Sequence, residues 1–246
     1  MKNLIIAALG VFAIALSAFS FSANANAETN KKEVEKIIEQ YILNNPEKIL
    51  QSVNDYQTKG VSDRQKQAMQ ANERKLFNNS MTPVAGNPKG DIVVVEFFDY
   101  NCGYCKKVYT DVTKLIDTDK GVKVVMKEFP ILGPTSETAA RWALAAHKQD
   151  KYMEFHGRLM SSKSRVNEGL LKDIAKDLGL DIAKIEQDAQ SEDITDYINQ
   201  NRALAQQLGV SGTPGFIFKD EVVPGAIGFD EMTRIVAEKR AAAAKN

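Results

Sequence analysis

The chain has 246 residues, of which 32 are basic and 32 acidic, so its formal charge is zero, and 43% are hydrophobic. This balance argues against a general nucleic-acid binder, because such proteins carry an excess of Lys and Arg. The length is sufficient for one full domain and an accessory segment.

The first 27 residues have the pattern of a secretory signal. Lys2 precedes an apolar run over 4–18, and small residues follow as far as Ala27. We predict cleavage after Ala27, with Ala25 as the second choice. The alternative is an uncleaved anchor, but a run of 15 residues is short for a membrane-spanning helix. Export would place the protein in an oxidising compartment, where disulfides persist.

Residues 28–85 are predicted to form an N-terminal helical segment. Its first part covers 31–57, and Asn45-Pro46 within it has the sequence of an N-cap followed by proline at the first helical position. Gly60 is predicted to end this part. Its apolar side chains recur at steps of three and four, at Val34, Ile37, Ile38, Tyr41 and Ile42.

A further helix is predicted over 61–78, and it is very polar. Its main large apolar residues are Met69, Leu76 and Phe77, which are too few to form a core of their own. We therefore expect this helix to bridge two parts of the chain or to pair with a second chain. The exposed apolar stripes of 28–85 predict a homodimer or homotrimer, the alternative being that they pack onto their own domain.

Residues 86–246 are predicted to form an α/β domain, which a loop over 81–90, rich in Pro and Gly, separates from the helices. Two strands are predicted first, at Asp91–Phe98 and Val122–Phe129, with a helix between them. The region of about 136–207 is then predicted to be almost wholly helical.

The last predicted elements are a strand at Phe216–Phe218, a short strand around Val222–Val223 and a helix over Phe229–Ala243. The complete order is βαβ followed by ββα, with a helical insertion between the two halves. This order predicts a thioredoxin fold.

The chain contains only two cysteines, Cys102 and Cys105, which lie where the first predicted strand gives way to a helix. This arrangement is typical of a thiol–disulfide exchange site. Because a helix N-terminus favours the thiolate, we expect Cys102 to be the nucleophile and Cys105 the resolving thiol. Lys106 and Lys107 are expected to be solvated, the alternative being that they raise the positive potential near the thiolate.

Two other uses of the cysteine pair remain open. A structural disulfide across so short a loop would stabilise the fold by on the order of 2 kcal/mol in the chain-entropy model. A zinc site needs about four ligands, and only His147 and His156 could join the cysteines. We expect both histidines at the surface or the edge of the core, and Trp142, Tyr152 and Phe155 inside it.

Two stretches of the sequence resemble the DsbA family of bacterial periplasmic disulfide oxidoreductases. They are VEFFDYNCGYC over 95–105 and GVSGTPGF over 209–216. The resemblance extends from about Pro88 to the C-terminus, and the N-terminal extension is similar to the oligomeric ScsC type. It implies a periplasmic location, exported proteins with cysteines as substrates, and a membrane partner that oxidises or reduces the site. No dissociable cofactor is implied, because electrons pass through the protein's own sulfurs.

The resemblance also implies roles for three further residues. Pro214 is expected to be cis, although most X–Pro bonds are trans, and Thr213 before it offers backbone groups to an extended substrate. Glu96 is expected beneath the cysteines, where it relays the proton of Cys105. An outward-facing position is the alternative for Glu96, and Lys127 on the neighbouring strand could pair with it.

The dipeptide between the cysteines indicates which redox function to expect. The strongly oxidising DsbA type carries Pro-His there, whereas Gly103-Tyr104, together with Thr213, resembles the DsbC-type isomerases. An isomerase attacks wrong disulfides and therefore starts with reduced cysteines. We predict a disulfide oxidoreductase with isomerase leaning. The alternatives are an oxidase that introduces disulfides into exported proteins and a chaperone-like or surface binding protein with incidental thiols.

Overall fold

The computed structural model describes residues 30–77 and 79–244, so the predicted signal at 1–27 lies outside the described residues. The chain divides after Gly60 into two compact units, which are described separately. Within the described residues, no helix combines the length and the hydropathy needed to cross a membrane.

The first unit consists of helix α1 over 30–44 and the first part of helix α2, Pro46–Ala71. As predicted, a proline begins the second helix. The Asn45 side chain donates to the Tyr41 carbonyl at 2.8 Å and so binds the end of α1. The apolar side chains of this unit are exposed, and they include Val34, Ile37, Ile38, Tyr41, Ile42, Leu43, Ile49, Leu50, Val53 and Tyr56.

The predicted helix end at Gly60 is wrong, because α2 continues without a break to Ala71. A glycine inside a helix costs only about 1 kcal/mol relative to alanine, and good helix formers such as Gln, Lys and Met follow it. The chain turns at Asn72, whose side chain donates to the Ala68 carbonyl at 2.9 Å. A short helix α3, Glu73–Phe77, follows.

The second unit is built on a five-stranded sheet in the order β1-β3-β2-β4-β5. Strands β2 and β3 are parallel, and every other neighbouring pair is antiparallel. The strands are β1 Val84–Gly86, β2 Ile92–Phe98, β3 Val122–Glu128, β4 Gly215–Phe218 and β5 Glu221–Pro224. All of the predicted strands are present, within one or two residues of their predicted ends.

Strand β1 was not predicted, because it lies in the segment 81–90 that the sequence marks as a loop. It pairs with β3, so that Val84 lies opposite Val125. Gly86 at its end has a φ of +76°, and a Cβ there would lie 2.6 Å from the Val122 carbonyl oxygen. The glycine that suggested a loop therefore allows the edge strand to approach its neighbour closely.

The helices fall into two groups. Helix α4, Gly103–Thr118, connects β2 to β3, and α10, Phe229–Ala243, ends the chain. The insertion between β3 and β4 consists of α5 Pro134–His147, α6 Tyr152–Ser161, α7 Glu168–Asp177, α8 Ile182–Asp188 and α9 Glu192–Leu208. The unit is therefore a thioredoxin fold with an inserted helical subdomain, as predicted. Because β2 and β3 are parallel, both strands end at the same edge of the sheet.

Side chains alternate along the central strands and contribute to two separate cores. Val94 and Phe98 face the core that contains buried residues of α4, α10 and the helical insertion. Val95 and Phe97 face the second core. The second core is completed by Met69, Leu76, Leu204 and Leu208, among others. The polar helix predicted over 61–78 therefore packs its few apolar residues on the sheet of its own chain.

Candidate active site

The two cysteines lie at the edge of the sheet where β2 ends. Asp99, Tyr100 and Asn101 lead from the strand to Cys102, which is the N-cap of α4 with φ −78° and ψ 115°. The first turn of α4 contains no acidic residue, so the helix N-terminus keeps its full attraction for an anion. Cys102 is 7% exposed and Cys105 is fully buried, and both thiols are free.

The loop that follows α9 contacts the first cysteine. The peptide bond between Thr213 and Pro214 is cis, as the resemblance implied. When it is protonated, the Cys102 thiol donates to the Thr213 carbonyl oxygen, with a distance of 3.2 Å between Sγ and oxygen. The Thr213 hydroxyl is buried and has no hydrogen-bond partner of ordinary geometry among the described residues. It is therefore available to a charged Cys102 sulfur.

The environment separates the two cysteines electrostatically. The pKa of Cys102 is lowered to about 5, first by a hydrogen bond with Cys105 and then by the Thr213 side chain and the backbone N–H groups of Cys105 and Tyr104. The pKa of Cys105 is raised, by the same hydrogen bond with Cys102 and by burial. At neutral pH the arrangement therefore favours a thiolate at Cys102 and a thiol at Cys105.

Glu96 is buried in β2, and not outward-facing. It lies beside Met126 of β3 and Phe216 of β4, on the same face of the sheet as Val94 and Phe98. Burial raises its pKa to about 8, and its charge would in turn raise the pKa of Cys105. A protonatable group therefore lies within electrostatic reach of the buried thiol.

The suggested pairing of Lys127 with Glu96 is wrong. Lys127 lies beside Phe97 in the register of β2 and β3, so its side chain is on the opposite face of the sheet. There the Nζ donates to the Lys75 carbonyl at 2.6 Å and to the Thr82 hydroxyl at 3.0 Å. Burial lowers the pKa of this lysine to about 7.

The Asp99 side chain is a structural component of the site that sequence reasoning missed. Its carboxylate accepts the backbone N–H of Asn101 at 2.8 Å, and those of Ile131 and Leu132 at 2.8 and 3.0 Å. It therefore joins the segment before Cys102 to the loop that follows β3. An Asp directly after a strand, at the start of a turn, is the signal that could have indicated this role.

A second missed group is the buried cluster around Glu128. Its Oε1 accepts hydrogen bonds from Tyr100 at 2.8 Å and from Tyr152 at 2.7 Å. Nδ1 of His156 lies 3.1 Å from the Tyr100 hydroxyl. The expectation that His156 lies at the surface or the core edge is wrong, because it is 1% exposed and burial lowers its pKa to about 3. His147 is half-buried, at the edge of the core as expected.

The other aromatic residues of the insertion, Trp142, Tyr152 and Phe155, are buried as predicted. Lys107 is exposed, in agreement with the sequence, but Lys106 is not simply solvated. Its Nζ donates to the carbonyls of Ser162 at 2.7 Å and Ser164 at 3.1 Å. Lys106 thus holds the loop between α6 and α7.

Comparison with known proteins agrees with this fold. Residues 93–237 match the family described as DSBA-like thioredoxin domain. The chain belongs to the DsbA-like family. It is 26% identical over 169 residues to Disulfide bond formation protein D of Bacillus subtilis (strain 168), with 64% of this chain and 76% of that protein covered.

The solved structures that are similar to this DsbA-like protein include the following two. A thioredoxin-like oxidoreductase from Silicibacter pomeroyi DSS-3 is 44% identical, with a TM-score of 0.67, and the match covers 68% of this chain and 97% of that one. Proteus mirabilis ScsC in a compact conformation is 28% identical, with a TM-score of 0.66, and the match covers 86% and 98%. This DsbA-like protein is therefore a thiol–disulfide oxidoreductase, of a family whose members act on the cysteines of other proteins.

The DsbA-like site consists of the two sulfurs and the groups that surround them. A zinc site was one of the alternatives for the cysteines. In the part of the chain that the structure describes, no three His, Cys, Asp or Glu side chains are grouped as metal ligands. The arrangement can hold a thiolate at Cys102, keep a protonated thiol behind it at Cys105, and present the Thr213 carbonyl at the same point.

Proposed function

We propose that this protein exchanges disulfides of exported proteins through Cys102 and Cys105, with a leaning toward isomerisation. The single observation that carries the proposal is the difference in burial and in pKa between the two cysteines. Cys102 lies at the N-cap position of α4 and its pKa is lowered to about 5, whereas Cys105 is fully buried and its pKa is raised. Only a thiolate attacks a disulfide. Cys102 can therefore react first, while Cys105 stays protonated until the mixed disulfide has formed.

The exchange proceeds in two steps. The Cys102 thiolate attacks a substrate disulfide, a bond forms between Cys102 and one substrate sulfur, and the other substrate sulfur leaves as a thiolate. Cys105 then loses its proton and attacks Sγ of Cys102, which releases the second substrate thiolate. The substrate gains two electrons and the cysteine pair is oxidised to a disulfide.

Isomerisation uses the first step without the second. Another substrate thiolate attacks the mixed disulfide, a new substrate disulfide forms, and Cys102 leaves as a thiolate, so no net oxidation occurs. Gly103-Tyr104 between the cysteines and Thr213 before Pro214 support this activity, through their similarity to the DsbC type. The exposed Tyr104 side chain, 67% accessible, adds an aromatic surface beside the reactive sulfur.

Oxidation of exported dithiols is the second candidate. Its support is the lowered pKa of Cys102, because stabilising the thiolate favours the reduced form and makes the disulfide a better oxidant. The two activities need opposite resting states of the same cysteines. The redox equilibrium with glutathione, and the state of the two thiols in cells, therefore distinguish them.

The remaining site residues have proposed roles that the geometry supports. The Thr213 carbonyl and the cis Pro214 present backbone to an extended substrate chain beside Cys102. Glu96 accepts the proton of Cys105 during the second step, since it is buried on the same side of the sheet and has a raised pKa. Among these roles, that of Glu96 is the one most directly tested by pH.

We propose that the N-terminal helices assemble the protein into a homodimer or homotrimer. The apolar side chains of 30–60 support this, since Ile37, Leu43 and Leu50 are more than half exposed and a stripe of this kind is usually covered. Light scattering on the full chain should give a multiple of the chain mass. Ile37→Glu should reduce the measured mass to that of one chain. A parent protein that is monomeric in this measurement would contradict the proposal.

The proposed location is the bacterial periplasm, reached through cleavage of the segment 1–27. A membrane redox partner would restore the site after each turnover. Localisation of the full chain by cell fractionation, with mass spectrometry of the mature N-terminus, tests both the export and the cleavage after Ala27.

The enzymatic test compares two substrates. Recovery of a scrambled, fully oxidised protein measures isomerisation, and oxidation of a reduced protein measures dithiol oxidase activity. Cys102→Ser should abolish both, whereas Cys105→Ser should retain isomerisation and accumulate mixed disulfides. Thr110→Ser is the control, because Thr110 is exposed on the same helix and both thiols stay in place. Full activity of Cys102→Ser would overturn the proposal.

A further inference from the structure

The three residues that link β2 to Cys102 each bind a different part of the second unit. Asp99 holds the loop after β3, and the Tyr100 hydroxyl binds Glu128 at the end of that strand. Asn101, directly before the N-cap, binds the helical insertion. Because consecutive Cα atoms are about 3.8 Å apart, contacts that hold Asn101 restrict where the backbone of Cys102 can lie.

The Asn101 amide makes three hydrogen bonds with the insertion. Its Nδ2 donates to the Thr135 hydroxyl at 3.1 Å and to the Ser136 hydroxyl at 3.0 Å, both in the first turn of α5. Its Oδ1 accepts the Val166 backbone N–H at 3.1 Å, in the loop before α7. Ser136 and Val166 are buried, so these partners belong to the packed interior of the insertion.

The loop that Asn101 binds is also attached to α4. Lys106, one turn into that helix, donates to the carbonyls of Ser162 and Ser164. Asn101 and Lys106, which lie on either side of the cysteine motif in the sequence, therefore both bind the loop between α6 and α7. A closed set of contacts of this kind restricts the N-cap more than the strand alone could.

This restriction matters because the hydrogen bonds that stabilise the Cys102 thiolate depend on the direction in which the sulfur points. The pKa of Cys102 is lowered first by the Cys105 side chain and then by the Thr213 side chain and the backbone N–H groups of Cys105 and Tyr104, and the strength of such hydrogen bonds falls steeply when their angle opens. An N-cap residue keeps its side chain over these N–H groups only while its backbone stays in the extended region.

We propose that Asn101 is a positioning residue through which the helical insertion holds the Cys102 sulfur over the first turn of α4. This inference rests on the proposed role of Cys102 as the nucleophile. Asn101 does not touch the reacting atoms. It acts through the backbone of its neighbour, so its loss changes the reactivity of Cys102 without removing any group from the exchange reaction.

The test is the pH profile of Cys102 alkylation in the full chain with Asn101→Ala. The midpoint should move up by about one pH unit, which is a tenfold loss of thiolate below the midpoint. The glutathione equilibrium should shift toward the oxidised pair, since the reduced form loses a stabilised thiolate. Asn167→Ala is the matched control, because Asn167 caps α7 next to Val166 and makes none of these contacts.

A second variant tests the same link from the other side. Thr135→Val combined with Ser136→Ala removes both acceptors of the Asn101 amide and leaves the residue next to Cys102 unchanged. The double variant should also raise the midpoint of the Cys102 alkylation profile. It replaces Asn101→Ala as the test if that variant fails to fold. A lowered melting temperature with an unshifted midpoint in either variant would overturn the inference. Failure of the proposed function differs, because unsubstituted Cys102 would then itself label no faster than free cysteine.

Discussion

Tyr100 donates its hydroxyl hydrogen to Oε1 of Glu128 over 2.8 Å, deep between the sheet and the helical insertion. Tyr152 donates to the same oxygen at 2.7 Å. Oε2 is buried and has no hydrogen-bond partner among the residues that the structure describes. Nδ1 of His156 lies 3.1 Å from the same Tyr100 hydroxyl. The cluster is thus a hydrogen-bonded chain that ends on a half-satisfied carboxyl.

The pH dependence of stability should change in Glu128→Gln. Burial raises the pKa of Glu128 from 4.5 to about 8, so the folded state holds one more proton than the unfolded state between these values. Stability therefore falls as pH rises through this window, by about 1.4 kcal/mol per pH unit at most. The Gln side chain removes this loss and can still accept from both tyrosines.

The variant should accordingly match the parent within about 1 kcal/mol near pH 4.5 and exceed it at pH 8. Denaturant unfolding at several pH values measures the difference. Tyr152→Phe is a control, since it removes one hydrogen bond and keeps the carboxyl. A constant difference between Glu128→Gln and the parent from pH 4.5 to pH 8 would show that the Glu128 carboxyl is equally protonated in the folded and unfolded states.

Glu96→Gln should slow the second exchange step and leave the first unchanged. Glu96 must be ionised to accept the Cys105 proton, and its pKa is about 8, so resolution in the parent should accelerate as pH rises through 8. The variant should lose this acceleration, by about 10²-fold for a removed general base. Attack by Cys102 depends on a pKa of about 5 and should be equally fast in both proteins.

Rapid mixing with a mixed-disulfide substrate separates the two rates. Glu128→Gln is the matched control, because it removes a second buried carboxyl of similar pKa from another part of the sheet. Equal loss of resolution in both variants would mean that buried charge in general, and not Glu96 in particular, governs the step.

The sequence predicted the elements whose pattern is local. The run Ile92–Phe98 and the final helix Phe229–Ala243 were both found within one residue, because burial on two faces and helical periodicity are visible in the sequence itself. The position of the cysteine motif between a strand and a helix is predicted for the same reason, because the patterns on both sides of it are local. The resemblance, and not the periodicity, supplied the cis bond at Pro214.

The features that the sequence did not predict depend on register and on distant partners. The sequence does not place Lys127 on the correct face of the sheet. Its position beside Phe97, and not beside Glu96, depends on the register of β2 and β3, which no local pattern determines. The Asn101 contacts join residues 34, 35 and 65 positions apart. Strand β1 cannot be predicted from the sequence, because three residues between prolines and glycines are too few to show the alternating pattern of a strand.

Leu76→Ala should destabilise the second unit by about 2–5 kcal/mol, the usual range for a leucine buried in a core. Leu76 is fully buried in the second core with Val95 and Phe97, although its helix is polar. Leu50→Ala is the matched control, because Leu50 is 65% exposed and lies in the first unit. Thermal unfolding followed at the Trp142 signal reports the second unit, and an equal response to both changes would contradict the packing of α3 on the sheet.

Lys127→Met should alter stability in the opposite pH direction from Glu128→Gln. Burial lowers the pKa of Lys127 from 10.5 to about 7, so the unfolded state holds the extra proton between these values. The parent should therefore gain stability as pH rises from 7 toward 10, by up to about 1.4 kcal/mol per unit. The variant lacks this gain and also leaves the Lys75 carbonyl without its donor, at a cost of about 1–3 kcal/mol.

The advantage of the parent over Lys127→Met should consequently widen with pH, which denaturant midpoints at pH 7, about 8.5 and about 10 would measure. Lys123→Met on the same strand is the control, since Lys123 is only half-buried and contacts the Phe77 carbonyl at 3.4 Å. This control measures the cost of replacing a lysine on β3 by methionine. If the difference for Lys127→Met stayed constant over this range, the ammonium would be equally protonated in the folded and unfolded states, and the hydrogen bonds to Lys75 and Thr82 would offset its burial completely.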